Sequence, residues 1–269
     1  MRQNVITELQ DLTYLKWSHV RSSSGTAGTF LKSESMIDEK KRYYKLSNFD
    51  AVNGVVGHEC INEIIVDRLL TILEVDHVPY TLIHAKIGIE GREYITWLCE
   101  SLDFKERGEQ KTALDNYYSA NRDVGESRYD FCVRNGWEQY IETMLAVDYL
   151  ILNRDRHGAN IEVLRNTRKQ TIRLAPLFDH GLSFLYSCHS EAEAAGFDVM
   201  QDRRCQNFIG GFSCLENLQL IRDPGQVFHG RLKPEDKELL FEGLENALPE
   251  LFREKIWDMI RKRYEVLTK

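Results

Sequence analysis

Three oxygen-bearing side chains on two neighbouring segments have the types and spacing to work together. One segment is Asn153-Arg-Asp-Arg-His-Gly-Ala-Asn160 and the other Leu174-Ala-Pro-Leu-Phe-Asp-His-Gly-Leu-Ser183. Phosphoryl transfer from a nucleoside triphosphate asks little covalent chemistry of a protein, because its transition state is loose and positioning dominates. It needs one carboxylate to orient or deprotonate an acceptor hydroxyl. It also needs a neutral oxygen and a second carboxylate to hold Mg²⁺, a hard ion that accepts few protein ligands. Asp155, Asn160 and Asp179 fit those tasks, Asp155 facing the acceptor and Asn160 with Asp179 on the metal. Alone, each would read as a surface acid or a turn former. His157 either touches phosphate or acceptor, or braces its loop, and His180 reads as a packing or capping residue.

The triphosphate also needs a cation. Lys45 lies between Tyr44 and Leu46 in an extended run and is preferred over Lys32, on the strand that leaves a small-residue loop. That loop, Arg21-Ser-Ser-Ser-Gly-Thr-Ala-Gly-Thr29, can build neither core nor helix. Ser24, Gly25, Thr26 and Gly28 would let backbone amides approach phosphate, although such a loop alone is equally a plain turn. Glu63, or Glu59 one turn earlier on the same helical face, could pair with the lysine.

The elements that must position these groups change character along the chain. Residues 1–17 suggest an opening helix or strand. Tyr14 to Val20 and Thr29 to Lys32 look extended on either side of the loop, a hairpin reading, and a charged turn at residues 38–41 leads into a third strand at 42–47. Ile61, Ile64, Ile65, Leu69 and Ile72 recur at helical spacing, predicting one amphipathic helix. Strands over 80–87 and 94–99 follow, joined by a Glu90-Gly91 turn. Helices are expected over 111–120, 128–135 and 137–152, then short extended pieces at 161–164 and 171–174, then helices over 234–247 and 249–264, each with proline near its first turn. The expectation is an α+β, two-lobed protein-kinase-like fold: residues 1–100 a sheet-rich N-lobe, residues 101–269 a helical C-lobe carrying the catalytic and metal-binding loops. ATP would lie between them, its adenine near Leu98 to Glu100, with Trp97 and Leu98 as candidate apolar contacts.

N-R-D-R-H-G-A-N followed by P-L-F-D-H-G resembles the kinase core of the HipA-like toxin kinases, and its D-R-H-x-x-N wording is similar to that of phosphoinositide kinases. Asn62-Glu63 on a helix running to Val78-Pro79, and Glu100-Ser-Leu-Asp103 after a strand, match the same pattern, and the resemblance covers most of residues 20–185. The longer family members carry a further N-terminal subdomain for which this chain leaves no room. The resemblance implies a Ser/Thr protein kinase using ATP and Mg²⁺, with Glu63 as partner of Lys45. It further implies a protein acceptor, autophosphorylation on a serine among Ser22, Ser23 and Ser24, and an antitoxin partner. The rival readings are a small-molecule or lipid kinase and a pseudokinase that only binds. His157 follows Asp155 instead of preceding it, unlike the H-G-D order of antibiotic kinases.

Composition narrows the field. The 269 residues carry a net charge of −7, with 42% hydrophobic and 10% aromatic residues, as an ordinary globular protein does. An isoelectric point near 5.7 provides no global attraction to nucleic acid or anionic membrane, and neither partner is expected. No apolar run approaches the roughly 20 residues of a membrane span, and the N-terminus lacks a signal-peptide core, so a cytoplasmic location is expected. Six cysteines occur without a CxxC pair and read as reduced, mostly buried thiols.

Overall fold

The computed structural model describes residues 4–18, 30–50 and 52–269. The chain opens with β1 (Val5–Asp11), followed by β2 (Lys32–Ile37), β3 (Lys40–Leu46) and a minimal hairpin of β4 (Phe49–Asp50) and β5 (Gly54–Val55). Helix α1 (Glu59–Ile72) leads to β6 (Tyr80–Ile89) and β7 (Arg92–Leu102). Five of these strands form one sheet in the order β1-β6-β7-β3-β2. Tight turns set its register: Asp38-Glu39 and Glu90-Gly91 each place two consecutive residues at positive φ, the geometry of a two-residue hairpin. The opening segment, expected as helix or strand over residues 1–17, contains β1. Val5–Asp11 pairs parallel with β6, and among the described residues an isolated antiparallel bridge from Ser18 to Lys32 joins the segments before and after residues 19–29.

Strand alternation decides which groups meet. Tyr44 and Leu46 enter a cluster with Leu31, Ile83, Ala85, Ile87 and Leu98 on one face of the sheet. Lys45, between them, therefore points to the opposite face, where α1 packs. That helix departs from the amphipathic reading, since every residue from Glu59 to Leu70 is buried. Its polar residues are enclosed and partnered, not solvated. Asp67 accepts from Asn4 Nδ2 (2.7 Å) and from the Tyr80 amide (3.2 Å), while Arg68 donates to Asn4 Oδ1 and to the carbonyls of Leu240 and Glu242. Near its start, α1 turns Glu63 and Asn62 toward the second half of the chain.

The second half opens with β8 (Glu109–Ala113), α2 (Leu114–Asn121), α3 (Arg128–Arg134) and α4 (Glu138–Leu150). Strand β9 (Asp155–Arg156) precedes the hairpin of β10 (Glu162–Asn166) and β11 (Thr171–Leu174). Then come α5 (Glu191–Ala195), β12 (Gln206–Asn207), α6 (Cys214–Asn217), α7 (Asp236–Phe241) and α8 (Glu250–Leu267). Two helical expectations are corrected. Residues 111–113 belong to β8, which pairs antiparallel with β10 in a three-stranded sheet, so propensity yields to tertiary pairing. The helix expected over 234–247 stops at Phe241, shortly before Gly243 takes φ 74°, a left-handed value that ends helices. One hydrophobic cluster runs from Cys60 on α1 through Ile141 and Leu145 on α4 to Ile256 and Ile260 on α8. All six cysteines are free and buried. Among the described residues no helix is long and apolar enough to cross a membrane.

His58, just before α1, is enclosed against the Phe252 ring of α8, with centroids 5.3 Å apart, and its Nε2 has no partner among the described residues. Burial, with a smaller contribution from His189, holds its pKa down at about 4. The unfolded chain therefore binds this proton first as pH falls. The neutral ring's contribution is complete above about pH 6.5 and is lost toward pH 4, a change of roughly 3 kcal/mol at most. Urea unfolding at about pH 7.5 and about pH 5 should show that loss, and His58→Phe should shrink it, the buried His180 leaving a residual slope. An unchanged slope in the variant contradicts the assignment.

Candidate active site

A cavity of about 1130 Å³ opens between the five-stranded sheet and the loops after α4 and β11. Lys32, Lys45, Asp155, His157, Asn160 and Asp179 all line it. Its apolar walls include Val78, Tyr80, Phe104 and Phe178, the two phenylalanines stacking with centroids 5.6 Å apart.

Lys45 is the hinge of the charge arrangement. Its Nζ lies 3.0 Å from Glu63 Oε1 and 2.5 Å from Asp179 Oδ1. Glu63 is fully buried and accepts from the amides of His180 (2.9 Å) and Gly181 (3.0 Å). Asn62, its neighbour, donates from Nδ2 to the carbonyls of Gly181 and Ser183. Two consecutive residues of α1 thus grip the backbone of the 179–183 loop. The fit has no slack: a Cβ on Gly181 would sit 3.1 Å from Glu59 Cβ and 3.3 Å from Glu63 Oε1. Burial alone would lower the Lys45 pKa, yet Asp179 and Glu63 hold it well above its usual value. The same burial would raise Asp179, and Lys45, with Lys32 behind it, more than offsets that and keeps the carboxyl well below the usual range. Burial raises the Glu63 carboxyl, against the pull of Lys45 and the amides. Asp179 adopts φ 58°, a left-handed conformation that costs an L-residue on the order of 1 kcal/mol. The other candidates are disposed differently. Lys32 pairs in register with Lys45 on the adjacent strand, and Glu59 Oε2 accepts from the Asn48 amide.

The 153–160 loop is held from beneath by a buried ion pair. Arg156, with no exposed surface, donates through Nε and Nη2 to Asp148 of α4, at 2.9–3.2 Å. Its Nη1 donates to the carbonyls of Phe178 (2.8 Å) and Asn160 (3.3 Å). Asp148 also accepts from Asn153 and Asn207, so three side chains donate to this carboxylate. One guanidinium therefore spans both loops that carry Asp155, Asn160 and Asp179. Asn153 Oδ1 accepts the Asp155 amide, and Asn160 Nδ2 donates to the Asp155 carbonyl at 2.8 Å, leaving Asn160 Oδ1 available as a ligand. His157 Nδ1 accepts the Ala159 amide, and its Nε2 lies 3.7 Å from Asp155 Oδ2. Burial raises the Asp155 pKa, with His157 opposing and Asp179 assisting.

Among the described residues no cluster of three or more His, Cys, Asp or Glu side chains could hold a metal. A Mg²⁺ ion bound by one amide oxygen, one carboxylate and phosphate oxygens needs no such cluster, and Asn160 Oδ1 with Asp179 is a donor set of that kind. Leu98 and Glu100 do not line the cavity. Leu98 is buried in the cluster on the far face of the sheet, and Glu100 pairs with Arg42 at 2.7 Å. Cys99 and Ser101 line it instead, a one-residue slip that inverts the face of a strand. Trp97 stacks on His84. Ser24, Gly25, Thr26 and Gly28, with the loop serines Ser22 and Ser23, lie outside the described residues. Arg156 and Asp148 escaped the sequence reading, although an acid inside the apolar run Met-Leu-Ala-Val-Asp-Tyr-Leu-Ile-Leu was a signal: a charge at a buried helical position requires a partner.

The fold can be placed among solved structures. A proinflammatory kinase of Helicobacter pylori, CtkA, superposes with a TM-score of 0.63 over 96% of both chains at 13% identity. The fold is kinase-like. HipA of Shewanella oneidensis MR-1, solved with HipB and operator DNA, aligns with 91% of this chain and 67% of its own at 14% identity and a TM-score of 0.46. No protein-family model matches the sequence, and neither does any curated protein.

Removing Arg156 leaves a buried carboxylate without its counter-charge and two carbonyls without this donor. Arg156→Met should cost about 3–5 kcal/mol, read from urea unfolding. Arg156→Lys keeps the charge but cannot reach Asp148 and both carbonyls, and should fall between the variant and the parent. Wild-type stability in Arg156→Met would contradict the bridging role.

Proposed function

We propose that the chain is an ATP- and Mg²⁺-dependent phosphotransferase acting on serine or threonine hydroxyls of a protein. In this reading it is two-lobed, with residues 1–100 as the N-lobe and 101–269 as the C-lobe. The observation that carries the proposal is the convergence of Lys45, Asp155, Asn160 and Asp179 on one cavity, with Lys45 fixed by Glu63. The kinase-like fold shared with CtkA supports it. Val78, Tyr80, Phe104 and Phe178 provide apolar surface suited to a purine.

Lys45 binds the phosphates as a cation, with Glu63 as its partner on α1. Asn160 and Asp179 would hold Mg²⁺, which supplies charge neutralisation at the phosphate oxygens when bound. Asp155 accepts the proton of the acceptor hydroxyl while its oxygen bonds to the γ-phosphorus, and the bond to the β–γ bridging oxygen breaks to release ADP. His157, 3.7 Å from Asp155, would orient the acceptor. Lys45 lies against Asp179 in the present arrangement, so a nucleotide would draw the ammonium toward its own phosphates and free Asp179 for the metal.

Asp155→Asn should keep Mg-ATP affinity within about threefold while lowering transfer by about 10²–10⁴-fold. Calorimetry paired with turnover on the protein itself or casein measures both, and near-wild-type turnover would remove Asp155 from its role. Asp179→Ala should weaken ATP binding with Mg²⁺ present and leave it nearly unchanged in EDTA. Equal loss in both conditions would make Asp179 a structural partner of Lys45 and not a metal ligand.

A further inference from the structure

Beside Asp155 runs a strip of arginines that the phosphotransfer site does not use. Strand β12 lies parallel to β9, with Gln206 opposite Asp155, the Gln206 amide on the Arg154 carbonyl (2.9 Å) and the Phe208 amide on the Arg156 carbonyl (2.8 Å). Paired strands lie about 5 Å apart, so what docks on this edge lies next to the proposed base. Four arginines border it. Arg128 lies over the Phe208 ring at 4.6 Å and donates to the Phe208 carbonyl. Arg204 lies over Phe212 at 4.6 Å, and Arg203 over Phe197 at 4.1 Å. Arg154 donates through Nε to the Arg204 carbonyl.

None of the four makes an ion pair with a carboxylate among the described residues. Three acids of the same segment are engaged with local hydrogen-bond donors, while Glu191 and Glu216 are exposed: Asp198 accepts the Met200 amide, Asp202 the Ser213 hydroxyl and Leu215 amide, and Glu193 the amides of His189 and Ser190. The Arg203 Nε is buried without a partner among the described residues. Stacking occupies the face of a guanidinium and leaves its edge donors free for carboxylates. Arg128, Arg204 and Phe212 are exposed, Phe212 by 62%. In a chain of net charge −7 this local positive strip is not a consequence of composition. The global acidity also disfavours a nucleic acid, whose extended backbone would meet repulsion beyond the strip.

We infer that this strip docks the acceptor, and that the acceptor is a protein segment with Asp or Glu residues flanking its serine or threonine. The inference rests on the phosphotransfer reading for the word acceptor, while the docking preference has its own readout. Fluorescence anisotropy of labelled serine peptides, one flanked by Glu and one by Lys, measures docking without chemistry. The full-length protein should bind the acidic peptide at least tenfold more tightly, and the preference should weaken with salt. Arg128→Glu/Arg204→Glu should lose on the order of tenfold or more in acidic-peptide affinity, with Mg-ATP affinity unchanged as a check on folding. In turnover assays the same variant should raise KM for the acidic peptide with little change in kcat. Equal binding of both peptides, tighter binding of a single-stranded oligonucleotide than of the acidic peptide, or an unaffected double variant would overturn the proposal. Acidic-peptide docking that the variant abolishes, combined with no transfer to any peptide, would leave the docking surface standing and reject the phosphotransfer reading.

Discussion

Arg156 and Asp148 form an ion pair almost sealed from solvent, and most of the site's geometry depends on it. Two charges removed from water are costly to enclose unless every donor and acceptor is met. Here they are: Asp148 receives Arg156, Asn153 and Asn207, and Arg156 reaches two carbonyls besides. Those carbonyls belong to Asn160 and Phe178, one residue from Asp179 on the second loop. A planar guanidinium fork fixes distance and direction together, which a flexible ammonium does not. The buried base of α4 thereby dictates where two otherwise separate loops present their oxygens.

A second clamp works from the opposite side. Helix α1 sends Glu63 and Asn62 onto the backbone of residues 180–183, and Glu63 also holds Lys45 from β3. The sheet, α1 and the 179–183 loop meet at one carboxylate. Together the clamps hold Asp179 at a positive φ and in reach of Lys45. Such preorganisation suits a reaction in which protein groups position charge and form no bond to the transferred group.

The parts of this arrangement that were legible in the sequence are those governed by short-range rules. Asp155, Asn160 and Asp179 share a cavity, as their spacing suggested, because a short hairpin of β10 and β11 separates the two loops. The Glu90-Gly91 turn, α1 and the long helices follow from local pattern. What failed depended on long-range pairing. Residues 111–113 look helical until β10 recruits them into a sheet. Strand β7 is legible but its facing is not: Cys99 and Ser101 line the cavity, and Leu98 and Glu100 do not. Glu59 and Glu63 share a helical face, and only the packing of α1 against β3 separates their partners. Of the arginine strip only the pair Arg203-Arg204 is adjacent in the sequence, and nothing there brings Arg128 and Arg154 beside it.

The activity proposed for this cavity is transfer of the terminal phosphoryl group of ATP. Incubating the full-length protein with Mg²⁺ and ATP labelled on either the γ- or the α-phosphate, with casein as acceptor, tests it most directly. Transfer of the γ-label to protein hydroxyls, with no α-label retained, is the expected result. Retention of the α-label would mean that a nucleotide moiety is transferred instead, and no incorporation of either label with Mg-ATP demonstrably bound would contradict the account.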